Sequence, residues 1–153
     1  MKTHRRLFLH SVAAGCLAAF CVTVRAKPDL LQPDEAFRVS ARRVDVRVVE
    51  LEYIIAPGYH LYRDRFSFKT DNPAMTVAGV ELPPPLEKFD KAIGQNMRYY
   101  TERVAVRVRL AGANQTVKLV ATAQGCAAIV GVCYAPITKA FSVPAMGGKN
   151  RDD

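Results

Sequence analysis

The sequence predicts an all-β domain in which two antiparallel sheets pack face to face. Apolar and polar residues alternate with a period of two in several segments, and turn-forming residues separate those segments. After the first 26 residues, no segment shows a convincing helical period. About seven short strands with one apolar and one polar face bury their apolar sides when two sheets stack on each other.

The longest alternating segment covers residues 44–55. Val44, Val46 and Val48 alternate with charged residues, and the phase then slips by one so that Val49 begins a second alternating run. A single slip in a period of two predicts one long strand that carries a β-bulge. The other predicted strands cover residues 37–41, 61–68, 75–80, 104–110, 115–123 and 140–143.

Turn signals lie between the predicted strands. A single helical turn is predicted at residues 33–36, which begin with Pro-Asp-Glu. The tail at residues 145–153 contains two adjacent glycines and four charged residues, and it is predicted to be disordered. Pro, Gly, Asn or Asp marks the turns at residues 56–58, 71–73, 83–85 and 112–114.

The first 26 residues have the three-part layout of a secretory signal peptide. Lys2, Arg5 and Arg6 precede an apolar run at residues 7–24, and Ala26 closes a short cleavage motif. We therefore expect export to the periplasm with cleavage after Ala26. An uncleaved anchor is the alternative, because about 18 apolar residues reach the lower limit for a membrane span. The Arg5-Arg6 pair leaves both the Sec and the twin-arginine export routes open.

The chain that remains after cleavage is long enough for one domain, predicted at residues 27–144. Residues 27–153 contain 18 Lys and Arg against 14 Asp and Glu, which gives a net charge of +4. The basic residues are spread along the strands and do not cluster. No nucleic-acid interface is therefore expected.

Two of the four cysteines fall in the predicted signal peptide, which leaves Cys126 and Cys133 in the domain. Six residues separate this pair, including Gly131. A loop that short can bring the two Cα atoms within disulfide range. The spacing alone leaves three interpretations open: a permanent disulfide, a redox-active pair and a metal site.

A permanent disulfide is the general expectation for an exported domain. Two features favour redox activity instead. An eight-residue ring stabilises a fold by only about 2.5 kcal/mol on the loop-entropy model. The pair also lies at one end of the sandwich, where loops meet partners. A metal site is the weakest interpretation, because zinc needs three or four protein ligands and His60 is the only histidine in the predicted domain. We therefore expect no metal and no cofactor.

Three stretches of the sequence resemble one protein family. Gly125-Cys126, together with the following Gly131-Val132-Cys133-Tyr134 and Pro136, is similar to the active-site hairpin of the N-terminal periplasmic domain of the DsbD thiol:disulfide interchange proteins. Residues 32–37 resemble the start of that domain, and residues 58–64 resemble one of its strands. The stretches occur in the family's order, and the resemblance covers residues 30–144.

The resemblance implies an immunoglobulin-like fold and thiol–disulfide exchange through Cys126 and Cys133. In the family, this pair accepts electrons from a thioredoxin-like domain. It passes them to periplasmic disulfide isomerases and to the thioredoxin-like reductant of cytochrome c maturation. The domain would then be a protein-disulfide reductase-type oxidoreductase or an electron carrier, and we expect a monomer. The chain has no second apolar span and no Cys-x-x-Cys motif, so we expect the donor to be a separate thioredoxin-like or membrane electron-transfer protein.

The resemblance also assigns supporting residues. His60 and Tyr62 would face the cysteines, Asp90 would supply an acidic side chain, and Tyr134 follows the second cysteine. A cap loop that shields the cysteines until a partner binds would fall on residues 90–94. Its tip would be formed by Ala92, Ile93 and Gly94.

The chain departs from the family pattern at the hairpin and at the cap. Six residues separate the cysteines where the family has five, and no acid follows Cys126-Ala127. The cap has no aromatic residue at its tip, although Phe89 lies nearby. Cys126 is narrowly favoured as the sulfur that bonds to a partner. The competing hypothesis is a non-catalytic secreted β-sandwich binding module whose disulfide is permanent.

Overall fold

The computed structural model describes residues 30–90 and 94–147, with the backbone alone at Asp90. The predicted signal peptide and most of the predicted tail lie outside these ranges. No helix in the two ranges combines the length and the apolar character that a membrane crossing requires.

A short helix, α1 (Pro33–Ala36), lies at the predicted position. Proline suits the first turn because the N–H that it lacks would have no partner inside the helix. The side chain of Glu35 accepts a hydrogen bond from the backbone N–H of Gln32 at 3.2 Å. The helix ends at the fully buried Ala36, and the first strand begins at the next residue.

Twelve strands follow within the described residues, and a 3₁₀ turn at Arg63–Arg65 separates the third strand from the fourth. The strands are β1 (Phe37–Asp45), β2 (Val48–Ile55), β3 (Tyr59–Tyr62), β4 (Ser67–Thr70), β5 (Met75–Glu81), β6 (Leu86–Asp90), β7 (Gln95–Tyr100), β8 (Arg103–Gly112), β9 (Val117–Ala123), β10 (Gly125–Ala127), β11 (Val132–Cys133) and β12 (Ile137–Val143).

The strands form three antiparallel sheets. Sheet A has the order β1-β2-β8-β5, sheet B has the order β11-β10-β3-β7-β6, and sheet C has the order β12-β9-β4. Sheets B and C are continuous along the chain, because only Gln124 lies between β9 and β10. Buried side chains from all three sheets form one core, with sheet A on one side and sheets B and C on the other. The predicted all-β sandwich is confirmed.

The alternation that predicted the sheets is the burial pattern of the core. In β8, Val104, Val106 and Val108 are buried, and the residues between them are exposed. Leu51 of β2 is fully buried opposite Val106. Shortening a buried leucine to alanine lowers the free energy of unfolding of a protein by about 2–5 kcal/mol. Contacts of this kind therefore stabilise sheet A, on which the cysteine-bearing sheet packs.

The prediction of one bulged strand over residues 44–55 is wrong. The chain reverses at Val46 and Arg47, and the two alternating runs belong to β1 and β2, which pair as a hairpin. Two hydrogen bonds hold this turn. The carboxylate of Asp45 accepts one from the backbone N–H of Arg47 at 3.1 Å, and the guanidinium of Arg43 donates one to the carbonyl of Val46 at 2.6 Å. The slip in phase therefore marks a turn made of residues that also suit strands.

The prediction of about seven strands is too low. The predicted strand at residues 61–68 is interrupted by the 3₁₀ turn and divides into β3 and β4. Four further strands, β6, β7, β10 and β11, lie where the sequence predicts none. These short strands belong to sheet B, which carries the cysteines.

Candidate functional site: a disulfide hairpin beside an aromatic groove

The two cysteines face each other across a hairpin formed by β10 and β11. Cys126 pairs with Cys133 in the antiparallel register, their Cα atoms are 3.9 Å apart, and their sulfurs form a disulfide. In the connecting turn, Gly131 has a φ of +66°, which side-chain-bearing residues rarely adopt, and its N–H donates to the carbonyl of Ala127 at 2.9 Å. The sequence predicts that Gly131 helps to close this loop, and its backbone does so in the left-handed conformation.

The two cysteines differ sharply in exposure. Cys126 is 2% exposed because it lies between β3 and β11 inside sheet B, whereas Cys133 is exposed on the edge strand. A thiolate from another protein can reach a disulfide only at a sulfur that is accessible. The exposure therefore favours Cys133 as the sulfur that bonds to a partner, in contrast to the sequence-based preference for Cys126.

The depth of Cys126 depends on the residue before it. A Cβ atom added at Gly125 would collide with the carbonyl oxygen of His60 and with the ring of Phe37. Because Gly125 has no side chain, β10 packs closely against β3 and the core. This close packing contributes to the burial of the next residue, Cys126.

The hydroxyl of Tyr62 lies beside the disulfide, closer to the sulfur of Cys126. It is 3.2 Å from Sγ of Cys126 and 3.9 Å from Sγ of Cys133. A disulfide sulfur carries no proton, so the hydroxyl is the donor. The same hydroxyl is placed to donate to a Cys126 thiolate when the disulfide opens. Tyr62 thus lies where the family resemblance predicts a residue facing the cysteines.

His60 also lies beside the pair. It is the cross-strand partner of Cys126, and its ring centroid is 4.8 Å from that of Tyr62 and 5.4 Å from that of Tyr99. Cross-strand partners project from the same face of a sheet, so the imidazole and the buried cysteine share one face. The predicted placement of His60 near the sulfurs agrees with this geometry.

A groove of about 790 Å³ opens in front of the disulfide. Its walls are mostly aromatic and apolar, and Phe89 on β6 is 56% exposed there. Sequence reasoning misses most of the far wall. The alternation of Met97 and Tyr99 in β7 is the signal that could have placed it. The lining residues on that wall are Lys88, Phe89, Met97, Tyr99 and Thr101.

Tyr134 supports the hairpin from the core side and does not line the groove. Its ring packs edge-on against Phe37 at 5.6 Å and lies 6.2 Å from the ring of Tyr59. Burial raises the pKa of the Tyr134 hydroxyl, and the hydrogen bond to Tyr59 raises it further. The hydroxyl donates a hydrogen bond to the backbone carbonyl of Leu31.

The predicted cap loop is only partly described. The backbone of Asp90 pairs with Gln95 at the end of β6, and Gly94 has a φ of +68°. The Asp90 side chain, Ala92 and Ile93 lie outside the described residues, so the roles predicted for them stay predictions. In the parts of the chain that are described, no three His, Cys, Asp or Glu side chains group closely enough to hold a metal ion.

Residues 27–145 match the family model described as "Thiol:disulfide interchange protein DsbD, N-terminal". The chain belongs to the DsbD N-terminal domain family. It is 37% identical over 139 residues to the DsbD of Ralstonia nicotianae, and 38% identical over 114 residues to DsbD 1 of Pseudomonas aeruginosa. These alignments cover 91% and 74% of this chain, but only 23% and 19% of the two relatives. The chain thus spans about a quarter or less of the DsbD proteins that it matches.

Two solved structures resemble this DsbD-type domain along most of its length. The reduced N-terminal domain of Neisseria meningitidis DsbD matches with a TM-score of 0.66 and 33% identity, covering 77% of this chain and 92% of that one. The same domain in complex with the N-terminal domain of PilB matches with a TM-score of 0.63 and 32% identity, covering 74% of this chain and 87% of that one. The expected immunoglobulin-like class is therefore confirmed, and the family takes part in thiol–disulfide interchange.

Proposed function

We propose that this domain carries reducing equivalents in the periplasm from a thioredoxin-like donor to disulfide-bonded proteins. The observation that supports the proposal best is the unequal exposure of the two bonded sulfurs. One sulfur lies at the surface beside an open groove, and the other lies 2% exposed beneath it. A carrier needs one cysteine that partners can reach and a second that resolves the bond to the partner.

Reduction of the domain begins at the exposed sulfur. A donor thiolate attacks Sγ of Cys133, the Cys126–Cys133 bond breaks, and Cys126 leaves as a thiolate that accepts a hydrogen bond from Tyr62. The second thiolate of the donor then attacks its own sulfur in the mixed disulfide and releases Cys133. Two electrons pass to the domain, and the donor becomes a disulfide.

Oxidation of the domain follows the same path in reverse. The Cys133 thiolate attacks the disulfide of an acceptor and forms a mixed disulfide, which releases one acceptor thiolate. The Cys126 thiolate then attacks Sγ of Cys133, which releases the second acceptor thiolate and restores the domain disulfide. The facing positions of the two cysteines, with Cα atoms 3.9 Å apart, suit this second attack.

The tip of the hairpin supports docking of a partner. Ile129 is 79% exposed, and Val130 and Val132 are 41% and 42% exposed. Apolar side chains grouped next to a reactive bond are typical of an interaction site. The complex of the N. meningitidis domain with the N-terminal domain of PilB supports a thioredoxin-like protein as the partner class. The disulfide isomerases and the cytochrome c maturation reductant predicted above remain the proposed acceptors.

A trapping experiment tests the assignment of the two sulfurs. Cys126→Ala leaves only the exposed thiol, and Cys133→Ala leaves only the buried one. Each variant is incubated with a thioredoxin in which one active-site cysteine is replaced by Ser. The remaining cysteine is activated as a mixed disulfide with a small leaving group. We expect a lasting covalent adduct with Cys126→Ala and little adduct with Cys133→Ala. An adduct that forms mainly through Cys126 would contradict the proposed order of attack.

A redox titration of the unaltered domain separates the carrier from a permanent disulfide. We expect a reversible couple in glutathione or dithiothreitol buffers and rapid reduction by thioredoxin. A bond with a potential below about −300 mV resists the glutathione pool and is typical of a structural disulfide. Resistance of this kind, together with inertness to thioredoxin, would leave the secreted β-sandwich with a permanent bond as the better explanation.

A further inference from the structure

The segment before helix α1 is held by two tyrosine hydroxyls. The backbone N–H of Leu31 donates to the hydroxyl of Tyr59 at 2.9 Å, and the hydroxyl of Tyr134 donates to the carbonyl of Leu31 at 2.6 Å. Both polar groups of one peptide residue are therefore bound by side chains far away in the sequence. We call Leu31, Tyr59 and Tyr134 the clasp.

Both tyrosines of the clasp are attached to the redox hairpin. Tyr134 directly follows Cys133, and Tyr59 is the cross-strand partner of Ala127, which directly follows Cys126. The ring of Phe37 packs edge-on against both tyrosines, with centroid distances of 5.8 Å and 5.6 Å. Movement of the Cys133 end of the hairpin would thus disturb the clasp.

The segment on the other side of the clasp is itself fixed to the sandwich. Lys139 of β12 forms an ion pair with Asp34 at 2.6 Å, and the backbone N–H of Ala56 donates to the carbonyl of Ala36 at 2.9 Å. The clasp therefore connects the hairpin to an anchored element.

We propose that the clasp positions Cys133 beside Cys126 when the pair is in the dithiol form. This inference rests on the proposed function, because it concerns the reduced state of the carrier. Once the sulfur–sulfur bond opens, β11 consists of two residues at the edge of sheet B, and among the described strands it pairs with β10 alone. The hydroxyl of Tyr134 then limits how far the adjacent cysteine moves away, which raises the effective concentration of one thiol near the other.

The equilibrium with glutathione measures that effective concentration. Two domain thiols are oxidised to the disulfide while one glutathione disulfide is reduced to two glutathione thiols. The equilibrium constant rises when the domain thiols are held together. A net hydrogen bond contributes about 0.5–1.5 kcal/mol, so Tyr134→Phe and Tyr59→Phe should each lower the constant about two- to tenfold.

Tyr100→Phe is the matched control. Its hydroxyl donates to the carbonyl of Pro83 at 2.7 Å, and Tyr100 does not line the groove. The control should leave the glutathione equilibrium constant unchanged even if the domain becomes less stable. Equal constants for wild type, Tyr134→Phe and Tyr59→Phe would overturn the proposal, and so would an equal decrease in Tyr100→Phe.

A second variant changes the clasp at Leu31, on the side away from the hairpin. Leu31→Pro removes the N–H that donates to Tyr59 and leaves both tyrosines in place. We expect the same direction of change as for Tyr59→Phe, with circular dichroism confirming a folded sandwich. An unchanged constant in a folded Leu31→Pro protein would also contradict the role of the clasp. A wild-type bond that no glutathione buffer reduces would instead refute the carrier function itself.

Discussion

The outer faces of sheet A and sheet B have opposite chemistry. On sheet A, Glu50 lies between Arg42 and Arg107 and forms an ion pair with each. Further ion pairs join Arg103 to Glu52 and Arg109 to Glu81 along the same face. On sheet B, the groove is lined by aromatic rings, small residues and the disulfide, and Lys88 is its one permanently charged lining residue among those described.

This difference shows how one β-sandwich can prevent other proteins from packing on one sheet face and leave the other face open to them. Alternating charges on an exposed sheet keep other proteins from packing against it and are well solvated. An apolar groove beside a reactive bond is typical of a surface that binds another protein. Turnover requires that such a contact be brief. Substitutions on sheet A and substitutions in the groove should therefore change different properties of the domain.

The largest effect is expected at Tyr62, the donor to the buried sulfur. Tyr62→Phe removes a hydrogen bond to the Cys126 thiolate, and bonds to charged groups contribute about 1.5–3 kcal/mol. Loss of this hydrogen bond lowers the fraction of Cys126 that is present as thiolate, but it makes each thiolate more nucleophilic. These two effects on the reaction rate partly cancel. We expect resolution of the mixed disulfide by Cys126 to slow about three- to tenfold, measured by stopped-flow mixing with an activated thioredoxin adduct.

Tyr99→Phe provides the control within the same groove. Its described contact is with the ring of His60, 5.4 Å between centroids, and not with a sulfur. The Tyr99→Phe rate should stay close to that of the wild type. Equal slowing in the two variants would mean that the groove as a whole matters, and not the Tyr62 hydroxyl.

A smaller effect is expected when an exposed valine is changed on each face. Val130 at the hairpin tip and Val80 at the edge of sheet A are both 41% exposed. Val130→Ser should raise the half-saturating concentration of a thioredoxin-like partner about two- to threefold, because it removes a small apolar contact at the docking site. Val80→Ser should not change it. A similar change in both variants would argue against the hairpin tip as the docking site.

The smallest effect is expected on sheet A and concerns stability. The hydrogen bond from Arg107 lowers the pKa of Glu50 below its usual value of 4.5; partial burial opposes this shift, and the charge of Arg42 adds to it. The carboxylate therefore stabilises the fold above pH 4.5, and this contribution is lost as the pH falls through the lowered folded-state pKa. Glu50→Gln should reduce the free energy of unfolding at pH 7 by less than about 1 kcal/mol, since both arginines are largely exposed.

Urea unfolding at several pH values between 7 and 3 measures this linkage. The difference between wild type and Glu50→Gln should shrink as the pH falls. The glutathione equilibrium of the variant should equal that of the wild type, because sheet A does not contact the disulfide groove. A constant difference in stability across the pH range would show that the ionised Glu50 carboxylate does not stabilise the fold through its two arginine partners.

The sequence predicts the core better than the site, for a physical reason. Long strands such as β8 repeat the apolar alternation often enough to reveal both their type and their buried face. The cysteines are visible because few residues share their chemistry, and the family resemblance placed His60 and Tyr62 beside them. The sequence predicts one strand across the β1–β2 turn because Val46 and Arg47, at its centre, are not turn-forming residue types.

Other parts of the site depend on contacts that no local pattern records. The exposed position of Cys133 follows from the order of strands in sheet B, with β11 at the edge. The far wall of the groove is formed by β6 and β7, whose local signal is limited to the short alternation of Met97 and Tyr99 in β7. The clasp joins residues that are 28 and 103 positions apart in sequence.

Gly125, the residue before Cys126, also affects how far the Cys126 thiol is exposed to small oxidants. An alanine at Gly125 adds a single methyl group, yet the strand would have to lift away from its neighbour to make room for it. The sheltered sulfur would then rise towards solvent, where peroxide and other small oxidants can convert a thiol into acids that no thioredoxin repairs. The missing side chain at Gly125 thus helps to keep the Cys126 sulfur away from solvent.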